Sequence, residues 1–126
     1  MWRRRNNKAE RSERWQREDA APRLLDEIAN LESLKLDITE EQDDIQVPAA
    51  CRTRHIVVAR APALFEIGCT EPKCEDGGHD LTLDVMHGLR AGEREFSGQD
   101  KCHGRVGDRV CGRVLKFVAH AKYSSA

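Results

Sequence analysis

The sequence predicts an α+β fold: an N-terminal helix followed by a small antiparallel, β-rich domain organised around a metal. Three observations carry that prediction. All nine glycines, all five histidines and all five cysteines lie after residue 50, so the chain passes from helix-forming to turn-rich composition near Val47-Pro48-Ala49-Ala50. Apolar residues ahead of that point recur at helical spacing, whereas those behind it alternate. Four of the cysteines form two pairs, Cys69 with Cys74 and Cys102 with Cys111, in segments of glycine and charge rather than in apolar strands. The chain divides accordingly into a basic arm (1–19), helical or disordered, a helix with a short strand and an acidic linker (20–47), and a β-rich metal-binding domain (48–126).

The arm carries seven Lys or Arg against three Glu from Met1 to Glu18. Arg3, Arg4, Arg5, Lys8, Arg11, Arg14 and Arg17 are interleaved with Trp2 and Trp15, a composition suited to neutralising phosphates and stacking on bases. The same residues are also compatible with a solvated helix, because Glu10 with Arg14 and Glu13 with Arg17 are helix-supporting pairs four apart. Arg3-Arg4-Arg5, Lys8-Ala9-Glu10 and Trp15 resemble the arginine-rich RNA-binding peptides of phage antitermination proteins, which implies a helix formed on an RNA hairpin.

Leu24, Leu25, Ile28, Leu31 and Leu34 lie on one stripe of a helix expected from about Pro22 to Ser33, with Pro22 in its first turn and Asp19 or a neighbour as the cap. Leu34, Leu36 and Ile38 then alternate as in a half-buried strand. Asp37, Glu40, Glu41, Asp43 and Asp44 form an acidic run, read as a solvated turn or linker. Beyond Pro48 the spacing predicts strands at His55 to Ala59, Leu64 to Cys69, Leu81 to Met86, Glu93 to Phe96 and Val114 to Tyr123, the last with Leu115, Phe117, Ala119 and Ala121 on one face. Glycines separate them where turns are needed.

Each cysteine pair is close enough in sequence for one loop to bring both thiolates to a single ion, and a tetrahedral zinc site takes four such ligands. Cys69, Cys74, Cys102 and Cys111 are therefore the expected zinc ligands, with His79 or His103 as possible substitutes for one thiolate. Strand, cysteine, loop, cysteine and strand follow one another twice between Leu64 and Tyr123, which resembles a zinc ribbon. That resemblance implies two hairpins that each present two ligands at the tip. The loops are longer than in a ribbon, with four residues inside Cys69–Cys74 and eight inside Cys102–Cys111. Disulfides are the competing use of the same cysteines, and small buried hydrophobes the plainest one.

One core is the limit for 126 residues, and 34% charged against 5% aromatic residues leaves little apolar surface, so an ion that adds folding free energy fits the composition. Met-Trp-Arg-Arg-Arg lacks the apolar stretch of an export signal, and no run approaches a membrane span. The chain is therefore read as cytoplasmic, without a membrane partner and with thiols kept reduced.

Motifs for catalysis are weak. The signatures of nucleobase deaminases, zinc proteases and phosphate-binding loops are absent. His79-Asp80 and Cys51 with His55 are the only combinations that suggest hydrolytic or nucleophilic chemistry, and both arise readily by chance. The expected function is binding: nucleic acid held by the arm together with Arg105, Arg109 and Arg113. The alternatives are a protein adaptor or homodimer, in which the helix bearing Leu24, Leu25, Ile28 and Leu31 and the strand Leu34 to Ile38 complete another chain's sheet, and a thiol-based redox sensor.

Overall fold

The computed structural model describes residues 13–42 and 45–124, with side chains for 13–41 and 51–124. Trp2, Arg3, Arg4, Arg5, Lys8, Arg11, Asp43 and Asp44 lie outside the described residues. The element order is helix α1 (13–20), a single turn α2 (Leu24–Glu27), strands β1 (Leu31–Gln42), β2 (Ile45–Ile56), β3 (Glu66–Ile67) and β4 (His79–Asp80), helix α3 (Thr82–Arg90), and strands β5 (Glu95–Lys101), β6 (Arg105–Val106), β7 (Arg109–Val110) and β8 (Arg113–Tyr123). The fold is mixed α and β with mostly antiparallel sheet.

β2, β1, β8 and β5 form one antiparallel sheet in that order. The alternation of β1 sends Leu34, Leu36 and Ile38 to one face, and that of β8 sends Leu115, Phe117, Ala119 and Ala121 to the same face. Leu24 of α2, Val85, Met86 and Leu89 of α3, and Phe65, Ile67 and Leu81 from the connecting segments join them in a single core. The opposite face is open and polar: Thr53 Oγ1 donates to Asp37 at 2.8 Å, and His120 lies 3.0 Å from Asp37 and 3.3 Å from Glu95. Asp37 is held below the usual carboxylate range, chiefly by the Thr53 hydrogen bond and then by Lys35 and His120.

Two expectations are corrected here. The helix from Pro22 to Ser33 is one turn only, because Leu31 already begins β1. A bulge between Leu31 and Ser33 shifts the register by one, so that Leu31 and Leu34 face the same side of a strand, and this bulge imitated helical spacing. The acidic run is not a turn up to Gln42: Asp37, Glu40 and Glu41 sit within β1, and Glu40 is buried. β2 runs through Val47-Pro48.

The expected strand at Leu81 to Met86 is instead the start of α3. Leu81, Val85, Met86 and Leu89 are buried at helical spacing while Leu83 is 85% exposed, so helical period rather than alternation describes the segment. Asp80 Oδ1 accepts the Thr82 amide at 3.0 Å and opens the first turn. α3 approaches the sheet at Gly88, where a Cβ would stand 2.5 Å from the Phe96 ring, itself edge-on to Phe117. Gly88→Ala gains about 1 kcal/mol of helix propensity but overpacks by about 1–3 kcal/mol. The expected outcome is a net loss of about 1 kcal/mol, read as a Tm lowered by a few degrees in thermal unfolding.

Candidate metal centre

The sheet delivers the two cysteine pairs to one place. β3 pairs with β4, and the connection between them carries Cys69 and Cys74. β5 ends at Lys101 and β8 begins at Arg113, so their antiparallel pairing sets Cys102 and Cys111 at the two feet of the small β6–β7 hairpin. Backbone bonds join the two units: Glu75 N donates to Arg105 O at 2.8 Å and Arg105 N to Glu75 O at 3.0 Å. Cys102 N donates to Arg113 O, and Cys111 N to Gly104 O, each at 2.8 Å.

The four sulfurs lie within 4.8 Å of one another. Cys69 Sγ is 3.6 Å from Cys111 Sγ, and Cys74 Sγ is 3.6 Å from Cys102 Sγ. The closest contacts therefore cross between the two loops, at distances far beyond an S–S bond. Sulfurs around a tetrahedral ion with bonds of about 2.3 Å stand roughly 3.8 Å apart. The observed cage matches that size and can hold a metal ion.

Backbone amides turn toward two of these sulfurs. Glu71 N points at Cys69 Sγ at 3.5 Å, and Gly104 N at Cys102 Sγ at 3.4 Å, each two residues on; Gly78 N reaches Cys102 Sγ at 3.4 Å from the other loop. An amide two residues on thus follows the first cysteine of each pair, and Gly112, directly after Cys111, adopts a positive φ of 78°. Gly77 and Gly104 are required by space: a Cβ on either would press into Cys74 Sγ, and one on Gly77 would lie 2.6 Å from Cys102 Sγ.

Burial and the mutual proximity of the sulfurs shift their ionisation in different directions. Burial pushes the Cys69 thiol up to about 12, helped by the neighbouring Cys111 and Cys102 sulfurs, and burial with the adjacent Cys102 raises Cys74 as well. Burial also opposes ionisation of Cys102, but the Gly104 and Gly78 amides together with hydrogen bonds from the Cys74 and Cys69 thiols lower that thiol overall. Four thiolates at this spacing would need a positive charge among them, which a bound metal ion would supply.

Glu40 fastens the first loop to the sheet. Its Oε2 accepts from Thr70 N at 3.2 Å and Thr70 Oγ1 at 2.7 Å, and its Oε1 accepts from Arg52 at 2.9 Å. Arg113 donates to Thr70 Oγ1 at 2.7 Å and to Glu71 at 3.3 Å. Arg113, expected as a loop cation facing nucleic acid, thus braces the centre, whereas Arg105 and Arg109 are exposed on the β6–β7 hairpin.

Neither candidate histidine joins the four sulfurs. His103 is exposed, and His79 is buried beside Cys69 and Glu40. Asp80 Oδ1 accepts the Thr82 amide at the start of α3, and along β4 His79 is buried whereas Asp80 is exposed, so the two turn to opposite sides. Cys51 is exposed, and four residues of strand set it about 13 Å from His55. Of the arm, Trp15 is 73% exposed, Arg17 is bound to Glu66 at 2.9 Å, and Arg14 reaches toward Gly68. The role of Glu40 was missed, and its signal was a carboxylate continuing the apolar alternation of Leu34, Leu36 and Ile38. Among the described residues no helix is long and apolar enough to cross a membrane. Comparison with protein-family models, with curated proteins and with solved structures finds no match to the chain.

Proposed function

We propose that the chain is a small zinc-stabilised, ribbon-like binding protein that contacts nucleic acid. The observation that carries the zinc reading is the cage of four sulfurs from two loops. Four thiolates complete a tetrahedral shell and leave no open position for a substrate, which favours a structural ion over a catalytic one.

The nucleic-acid reading is supported by the surroundings of Arg14 and Trp15. These line one recess with Arg52 and Arg54 of β2, opposed by Glu18 and Glu66. The groove beside the metal centre has the opposite character, with Glu66, Asp76, Asp80 and Asp100 outnumbering Arg14 and Arg17. A polyanion therefore favours the β2 side, where Trp15 offers a stacking surface. Binding of a single-stranded oligonucleotide is expected to weaken steadily with salt, and Trp15→Ala to cost about 1–3 kcal/mol, read by fluorescence anisotropy. Affinity independent of salt would remove the electrostatic mechanism.

A protein adaptor is the second reading, favoured by the long edge strand β2. Its partner would add to that edge. Of the dimer stripe Leu24, Leu25, Ile28 and Leu31, Leu25 is partly buried and the other three are buried in the core, which favours a partner on the β2 edge over one on that stripe.

A further inference from the structure

The alternation of β1 carries Glu40 to the core-facing side, where it is 1% exposed. Next to it the His79 side chain is fully buried, and neither of its ring nitrogens has a hydrogen-bond partner. Nδ1 stands 3.3 Å from Asp100 Oδ2, close enough for a charge contact but not aligned as a hydrogen bond. A buried imidazole left this way costs about 1–3 kcal/mol, and an ion is one of the few things that explains such a group. One carboxylate oxygen of Glu40, Cys69 Sγ and one ring nitrogen of His79 lie within 4.8 Å of one another.

We infer that Glu40, Cys69 and His79 form a second divalent-cation site that shares the Cys69 thiolate with the four-sulfur centre. The inference rests on that centre holding the first ion. Mixed nitrogen, oxygen and sulfur donors suit a zinc-type ion and not magnesium or calcium. The surroundings fit as well. Asp100 adds negative charge 3.3 Å from His79 Nδ1, while Arg52 and Thr70 orient the Glu40 carboxylate. Four thiolates around one dication keep surplus negative charge, to which Glu40 and Asp100 add, and Arg52 offsets only part of it. Cys69, His79 and Asp100 all border the acidic groove, which gives a cation an entry path.

Zinc titration of the metal-free full chain, followed by native mass spectrometry and by the visible spectrum of the cobalt-substituted protein, tests this. The expected result is two ions per chain, the second more weakly held. His79→Asn and, independently, Glu40→Gln are expected to bind one ion with the four-sulfur cobalt spectrum intact, and Asp100→Asn to weaken only the second ion by about tenfold or more. Saturation of the unaltered chain at one ion, or two ions retained in both His79→Asn and Glu40→Gln, would overturn the second site while leaving the first. Binding of no ion at all would remove the four-sulfur centre and the second site with it.

Discussion

Cys102→Ser is expected to release the metal and abolish cooperative thermal unfolding. Cys102 is fully buried, faces Cys74 Sγ at 3.6 Å and receives amides from both loops, so its sulfur lies at the junction of the two halves of the site. A structural zinc contributes an apparent 10–16 kcal/mol or so, whereas a domain of this size retains about 5–15 kcal/mol in total. Serine is too weak a ligand to keep that contribution. The same outcome is expected at Cys69, Cys74 and Cys111. Cys51→Ser, on an exposed strand position, should change stability by no more than about 0.5 kcal/mol. Circular dichroism with metal analysis distinguishes these outcomes, and a Cys102→Ser protein that melts cooperatively without metal would refute the dependence.

Gly77→Ala is expected to weaken metal binding by about tenfold or more without changing a ligand. The added methyl would enter the space between Cys74 Sγ and Cys102 Sγ and come within 3.3 Å of the Gly104 backbone. Backbone and two metal-bound sulfurs cannot yield as a flexible side-chain tip can, so overpacking of about 1–3 kcal/mol falls on the bound state. Gly107→Ala is the matched control. Gly107 has φ of 61° but nothing within 4 Å, so alanine there strains the turn by about 1–2 kcal/mol and leaves the sulfurs where they are. Competition with a chromophoric chelator separates the two, and equal zinc affinity in both variants would contradict the steric account of Gly77.

The cysteine cluster could be read from sequence because paired thiols in glycine-rich loops have few other uses in a chain with so small a core. The β8 strand could be read too, since Leu115, Phe117, Ala119 and Ala121 alternate without interruption and are all buried. What misled was local geometry that changes the period. A bulge at the start of β1 gave a strand the three-residue spacing of a helix. At α3, Leu83 completed an apparent alternation although it points to solvent. Glu40 eluded the reading for a different reason: its partners Arg52 and Thr70 come from distant parts of the chain, and only the folded sheet brings them together.

X-ray absorption at the zinc edge, recorded on protein loaded with one equivalent of zinc, examines the four-sulfur centre most directly. A single shell of four sulfurs at about 2.3 Å is the expected result. Nitrogen or oxygen in that first shell, or a chain that folds fully and retains no zinc, would contradict it.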